Sequence, residues 1–267
     1  MSRPVRAPDL IRLKREGQRV VAVTAYDYAS GVMVDRAGVD VVLVGDSLAT
    51  VILGHPTTLP ATMDVMVHHT RAVSRGVQRA LVVGDLPFLS CVTVEDAVRN
   101  GGRLMQEGGA GAVKLEGAGE LALAAVRALR VQGIPVLGHI GFTPQSVHVF
   151  GGHKVQGKDD EAARRLLKEA RALQEAGVSA VVLELVPEAL AAHISLNLDI
   201  PTIGIGAGPG CDGQIQVFHD LVGLFTDHVP RHAARYARVG DVVGEAVGRY
   251  AADVRAGRFL APEGVHA

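Results

Sequence analysis

"VVLVGDSL" occupies Val41–Leu48: an aliphatic run, a glycine, then Asp46 and Ser47. The pattern returns along the chain. "LVVGDLP" ends its apolar run in Asp85, "GAVKLEG" ends in Glu116, and "SAVVLELVP" carries Glu184. Runs this apolar on both faces, and this rich in valine, are how parallel strands covered by helices read. The carboxylate that closes each run needs a separate reason.

Strands are expected at Arg19–Asp27, Asp40–Ser47, Ala80–Pro87, Ala112–Gly117, Ile134–Ile140, Ser179–Val186 and Ile200–Gly208. An eighth is expected at "DLVGLF", Asp220–Phe225. Helix-like stretches lie between them. In "DDEAARRLLKEARALQEAGV" the residues Ala163, Leu166, Leu167, Ala170 and Leu173 recur at helical spacing, and Gly177 is a helix stop. Gly108, Gly133 and Gly177 each precede a strand. Eight such units in one chain predict an α/β fold, a (β/α)8 TIM barrel, as a single domain over 1–267 with extra N- and C-terminal helices. A doubly wound open sheet is the competing architecture, and the number and regular spacing of the strands disfavour it.

Composition narrows the function. The chain has 267 residues, 48% hydrophobic and 21% charged, enough to bury a large core. Lys plus Arg (27) nearly balances Asp plus Glu (28), and aromatic residues make up 4%. Nucleic-acid binders cluster their Lys and Arg, so no nucleic-acid partner is expected. The N-terminus mixes Arg and Lys with Asp9 and Glu16 and lacks the apolar core of a secretory signal. No apolar stretch approaches the roughly 20 residues of a membrane span. Cys91 and Cys211 form no metal or redox motif and read as unpaired thiols in a reducing compartment. A soluble, cytoplasmic protein is the expectation.

In a barrel of this type the active site lies at the C-terminal ends of the strands. Asp46, Asp85 and Glu116 fall there, and Glu184 falls near the end of its strand. An aspartate after a strand often only caps the next helix, but convergence of these carboxylates on one rim points to a site. Lys114 and Glu116 are two apart on one strand and so share a face. Lysine is rarely buried unless paired, so Lys114 at the barrel mouth reads either as an ion-pair partner or as a ligand-binding cation. Carboxylates and a lysine, without a His or Cys ligand cluster, suit a hard divalent ion such as Mg2+ rather than zinc. Of the 11 histidines, His139 sits at a strand end and is the pocket candidate, whereas His68 and His69 read as a surface pair. "GIGAGPG" (Gly204–Gly210) does not match the dinucleotide fingerprint. It reads either as a loop that lets backbone approach a ligand or as a plain βα turn.

The motifs "TAYDY", "LVGDSL", "HPTTLP" (His55–Pro60), "DLPF", "VKLEG", "GHIGFTPQS", "FGGHKVQG", "LELVP" and "GIGAG" follow one another in a characteristic order. In this order the chain resembles the ketopantoate hydroxymethyltransferase family of the phosphoenolpyruvate/pyruvate barrel superfamily, from about Leu10 to the C-terminal helices. The resemblance implies transfer of a one-carbon unit from 5,10-methylenetetrahydrofolate to 3-methyl-2-oxobutanoate, on the route to pantothenate. It implies Asp46 and Asp85 as Mg2+ carboxylates, with Glu116 close to the metal. Ser47, Lys114 and the two aspartates would hold the substrate, His139 would line the pocket, and Glu184 would accept the proton. It further implies a cytoplasmic homodecamer. One departure is visible: His153 stands where the family's pattern has an aromatic residue, usually tyrosine. Two other readings compete. A C–C lyase of the isocitrate or methylisocitrate lyase type would carry a lysine–cysteine–glycine–histidine loop, and neither Cys91 nor Cys211 lies in one. A non-catalytic barrel that binds an oxo acid would be expected to have lost a member of the acid set.

Overall fold

The computed structural model describes residues 3–224 and 233–259. Two compact units divide the chain, Met1–Val217 and Phe218–Ala267. The first is a closed barrel of parallel strands in chain order. They are β1 (Val20–Thr24), β2 (Val41–Val44), β3 (Leu81–Asp85), β4 (Ala112–Glu116), β5 (Val136–Gly141), β6 (Ala180–Glu184), β7 (Thr202–Ile205) and β8 (Gly213–Gln216). The connections carry α2 (Tyr28–Arg36), α3 (Leu48–Val51), α4 (Met63–Gly76), α5 (Val94–Gln106), α6 (Glu120–Val131), α7 (Val147–Phe150), α8 (Asp160–Ala176) and α9 (Glu188–Leu196). Ahead of them all, α1 (Ala7–Arg15) precedes β1.

Side-chain alternation explains why this sequence closes. Leu81 and Val83 of β3, Ala112 of β4, Leu137 of β5, and Ala180 and Val182 of β6 all join one buried cluster. Successive residues on a strand point to opposite sides, so this set faces the barrel interior. The alternate residues, such as Val82, Val113 and Val181, are also buried, beneath the helices. Ala7, Leu10 and Leu13 of α1 enter the interior cluster beside Val20, Val41 and Leu81, the first residues of their strands. Helix α1 therefore plugs the N-terminal end. Its Lys14 ties the plug down by donating from Nζ to Ser195 O (2.7 Å), Ile200 O (3.0 Å) and Asp212 Oδ2 (2.9 Å).

The helices carry their own start and stop signals. In α8 the side chain of Asp159 caps the amide of Ala162, Asp160 and Glu161 fill the first turn, and Leu166, Ala170 and Leu173 are buried. Such a cap stabilises a helix by about 1 kcal/mol. Gly177 ends it at φ 100°, a left-handed position that suits glycine. Ala163 and Leu167 of the expected apolar face are only half-buried.

The eighth strand is not where the apolar pattern places it. Asp220–Val222 belongs to α10 (Phe218–Val222), Gly223 and Leu224 follow it outside any strand, and Phe225 lies outside the described residues. The strand that closes the barrel is "GQIQ", whose Gln214 is exposed while Gly213 and Ile215 are buried. Its outer face is polar, so it lacks the continuous aliphatic run of its neighbours. It follows β7 through the loop 206–212, without an intervening helix. Gly208 and Gly210 of "GIGAGPG" press against Glu188 and Ala192 of α9, so this stretch is a packing turn.

The second unit holds α10 and α11 (Val239–Arg255), tied by backbone hydrogen bonds Tyr236 N to Leu221 O (2.8 Å) and Gly240 N to Gly223 O (2.9 Å). No residue of α11 is buried, and Val242, Val247 and Tyr250 stand exposed along it.

Gly213 tests the closure. A Cβ there would lie 2.4 Å from the Val20 carbonyl oxygen, across the β1–β8 seam. Gly213→Ala is expected to destabilise the protein by about 1–3 kcal/mol, as overpacking does, read as a lower urea midpoint with an unchanged m-value.

Candidate active site

The inward-facing register that builds the barrel wall turns polar at its upper end. Above Val83 comes Asp85, above Ala112 come Lys114 and Glu116, above Leu137 comes His139, and above Val182 comes Glu184. Strand pairing then sets Asp85 directly beside Lys114 and Glu116 beside His139. Asp46 reaches the same rim from the turn after β2, and its backbone N–H donates to Asp85 Oδ2 at 3.2 Å.

These groups form a continuous chain of contacts. Lys114 Nζ donates to Asp85 Oδ1 at 2.7 Å and Oδ2 at 2.9 Å, and lies 3.7 Å from Glu116 Oε1. His139 Nδ1 stands 3.4 Å from Glu116 Oε1, and its Nε2 stands 3.3 Å from Glu184 Oε2. Both imidazole contacts are ionic in distance and lack hydrogen-bond alignment. Glu184 is the most exposed of the set, its side chain 15% accessible against 1% for Asp85.

Burial dominates the protonation of this cluster, and the neighbours decide its direction. Asp46 is pushed well above the usual carboxylate range by burial and by the charges of Asp85 and Glu116. Burial also raises Asp85, although Lys114 pulls the other way. Burial works against ionised Glu116 too, but Lys114 and His139 outweigh it and hold that carboxyl below its ordinary value. Lys114 is raised: burial opposes its charge, and Asp85, Glu116 and Asp46 more than compensate. His139 is pushed up to about 9, because Glu116 and Glu184 overcome both burial and the Lys114 charge. Lys114 is thus an ammonium and His139 an imidazolium at neutral pH.

Several residues that sequence reasoning did not single out complete the site. Gln145, on the 3-10 turn Pro144–Ser146 after β5, donates from Nε2 to Asp46 Oδ2 (2.9 Å) and Leu86 O (3.0 Å). Its backbone N–H donates to Glu116 Oε2 at 3.1 Å. Tyr26, buried in the loop after β1, shares a 2.8 Å hydrogen bond between its hydroxyl and Ser47 Oγ. His69 Nδ1 hydrogen-bonds the Tyr26 carbonyl oxygen, so the His68–His69 pair is not a surface pair: His69 is half-buried and only His68 is exposed. Both Tyr26 and Gln145 sit in the quoted motifs, but neither carries a charge at a strand end, the signal by which the others were found.

Glu184 is aimed by unusual backbone. Leu185 follows it at φ 47°, a left-handed position rare for a branched side chain, held by Leu185 N to Ile205 O (3.0 Å) and Gln156 N to Leu185 O (2.8 Å). Across the strand pair, Gly141 has φ 94°, and a Cβ there would come within 2.3 Å of the Glu184 carbonyl oxygen. Such strain clusters where a side chain must be held for function. His153, the departure from the family's pattern, sets its ring 4.8 Å from that of Phe142.

A scan against protein families matches the ketopantoate hydroxymethyltransferase model over residues 4–262. The chain belongs to the ketopantoate hydroxymethyltransferase family. It is 55% identical over 255 residues to a 3-methyl-2-oxobutanoate hydroxymethyltransferase of Chloroflexus aggregans, covering 96% of this chain and 91% of that protein. A protein of the same name from Magnetococcus marinus is 52% identical, covering 98% of both. Among solved structures, phosphonopyruvate hydrolase superposes with TM-score 0.66 at 13% identity, covering 98% of this chain and 92% of that one. A 2,3-dimethylmalate lyase of the PEP mutase/isocitrate lyase superfamily superposes with TM-score 0.62 at 18% identity, covering 98% and 92%. These structural likenesses establish the barrel fold. Membership of the ketopantoate hydroxymethyltransferase family makes the chain a transferase. No helix among the described residues is long and apolar enough to cross a membrane.

The structure brings Asp46, Asp85, Lys114, Glu116, His139 and Glu184 into one network; Ser47 follows Asp46 in the chain, and its hydroxyl bonds to Tyr26. Removing Lys114 tests that network. Lys114→Met leaves Asp85 and Glu116 buried without their cation, and breaking a buried pair costs about 3–5 kcal/mol. In the folded variant the Asp85 carboxyl then rises further above its unfolded value and Glu116 loses the cation that held it below its own, so the folded state binds more protons than wild type and its stability falls as pH rises. With chelated protein, the deficit in urea unfolding is expected to be larger at pH 8 than at pH 5. A pH-independent deficit overturns this account.

Proposed function

We propose that the barrel transfers a hydroxymethyl group from 5,10-methylenetetrahydrofolate to 3-methyl-2-oxobutanoate, giving 2-dehydropantoate in pantothenate biosynthesis in the cytoplasm. The observation that carries this reading is the concentration of Asp46, Asp85 and Glu116 around a single buried lysine, with Glu184 more open on the same rim.

The residues fit a hard divalent ion. Buried carboxylates outnumber the Lys114 charge, and Asp46 is pressed to take up a proton first by burial and then by the repulsion of Asp85 and Glu116, a repulsion that a cation would relieve. Among the described residues no group of three or more His, Cys, Asp or Glu forms a ready cage. Mg2+ does not require one: it usually takes one or two carboxylates and completes its octahedron with waters and substrate oxygens. Asp46 and Asp85 would hold it, with Glu116 nearby. Bound there, Mg2+ would act as a Lewis acid toward the keto and carboxylate oxygens of a 2-oxo acid and stabilise the enolate form. Phosphonopyruvate hydrolase, a barrel of the same fold, has been solved with oxalate and Mg2+.

The chain's own groups supply the rest. Lys114, held as an ammonium, neutralises the substrate carboxylate, and Ser47 donates to it from a hydroxyl oriented by Tyr26. Glu184 takes the proton from C3, the resulting carbon nucleophile forms the new C–C bond with the one-carbon unit of the folate, the C–N bonds that held that carbon break with the nitrogens regaining protons, and a water supplies the oxygen of the new hydroxymethyl group. His139 holds Glu184 in place from the closed side of the barrel. The lyase reading has no support in the site: Cys211 is buried in the β7–β8 loop and Cys91 lies beyond β3 beside Ser90, neither on a lysine–cysteine–glycine–histidine segment. The unburied α11, with Val242, Val247 and Val254 exposed, is consistent with a homodecamer, which sedimentation of the purified chain would test.

Activity is expected to disappear in excess EDTA and return with Mg2+, and Asp85→Asn is expected to abolish turnover while the protein stays folded. Full activity in EDTA refutes the metal assignment. Proton abstraction can be read without folate. Wild-type protein with Mg2+ in D2O should exchange the C3 proton of 3-methyl-2-oxobutanoate, seen as collapse of the methyl doublet by NMR. Glu184→Gln should bind substrate yet exchange about 10²–10⁴-fold more slowly, the usual contribution of a positioned base. Unchanged exchange refutes the assignment of Glu184 as the base.

A further inference from the structure

Gln145 stands apart from the rest of the rim because it is neutral and because it reaches several strand ends at once. From the 3-10 turn above β5 its Nε2 donates to Asp46 Oδ2 (2.9 Å), beyond β2, and to Leu86 O (3.0 Å), beyond β3. Its backbone N–H donates to Glu116 Oε2 (3.1 Å) at the end of β4. Both amide protons are used, so neither the rotation nor the flip of the amide is free. Asp46 lies in a turn rather than on a strand, and Gln145 supplies the hydrogen bond that its carboxylate accepts among the described residues. Asp85, by contrast, is fixed by its strand, by Lys114 and by the Asp46 amide.

We infer that Gln145 is a positioning residue for the metal-binding rim: it fixes Asp46 through Oδ2, so that Oδ1 faces a divalent cation. This rests on the metal reading above. A neutral donor is the side chain this place requires. A cation at 145 would compete with the metal for Asp46, and a carboxylate would repel Asp46. An aliphatic side chain would leave the carboxylate to swing on its loop. Glutamine also has the length to span from the turn to Asp46 while its own N–H holds Glu116.

The test uses the full-length chain and Mn2+ as the probe, with free Mn2+ counted by EPR in the absence of substrate. Gln145→Met keeps the length and the backbone N–H while removing both donors. It is expected to melt within a few degrees of wild type and to weaken Mn2+ binding about 10–100-fold, the usual effect of losing a group that orients a metal ligand. At saturating Mn2+ its kcat should recover most of the wild-type value while KM for 3-methyl-2-oxobutanoate stays raised. A structural role alone would lower the melting temperature without that split. Gln145→Ala, which keeps the Glu116 contact, serves as the second variant and should show the same Mn2+ defect. Gln145→Asn retains the amide but is one methylene short, and it should recover part of the affinity if the donor matters. Wild-type Mn2+ affinity in both Met and Ala variants overturns the inference, as does loss of the fold in both, which would make Gln145 a structural strut. Wild-type protein that binds no Mn2+ overturns it together with the metal reading.

Discussion

The site depends on one ion pair. Lys114 and Asp85 occupy neighbouring, register-paired positions on β4 and β3, both on the inward face and both almost wholly buried. Parallel pairing gives neither side chain an alternative direction, because a shift of one residue would turn every inward group outward. Burying a lone charge is prohibitive, and a pair of this kind is usually close to neutral in stability. Lys114 is nevertheless what allows Glu116 to remain ionised and keeps the excess negative charge on the rim tolerable. The register that packs the wall with Val83 and Ala112 is the same register that delivers the chemistry two residues further on.

Rigidity is graded across the rim. Asp85, Lys114, Glu116, His139 and Glu184 lie on strands and inherit the precision of the barrel. Asp46 and Gln145 lie on turns and hold each other. Glu184 is last on β6, and the left-handed Leu185 with the close approach of Gly141 sets where its carboxylate points. Strain of this sort is tolerated only where surrounding hydrogen bonds over-determine the backbone, and here Ile205 and Gln156 provide them.

Much of this was legible in the sequence because strands buried on both faces must be written as aliphatic runs, and a carboxylate ending such a run has no packing reason to be there. That logic found seven strands and the charged residues of the rim. It failed at β8, where "GQIQ" exposes Gln214 and so breaks the aliphatic rule, and the pattern pointed instead to Asp220–Phe225, largely helical where described. Tyr26, His69 and Gln145 were missed for a related reason. Their roles come from hydrogen bonds between loops far apart in the chain, and a polar residue in a loop carries no periodic signal.

Two lysines show how the same residue serves stability at one end of the barrel and chemistry at the other. At the N-terminal plug, Lys14 gives its ammonium to two backbone carbonyls and the Asp212 carboxylate, a full set of acceptors for its three protons. Nothing there is left to bind a ligand. At the rim, the hydrogen bonds of Lys114 all go to one carboxylate, Asp85, and Glu116 stands off at 3.7 Å. Its charge is compensated but its donor capacity is not exhausted. An anionic oxygen entering the mouth would therefore find an ammonium already desolvated, already oriented and still able to donate, so the cost of preparing that contact is met by the fold before substrate arrives.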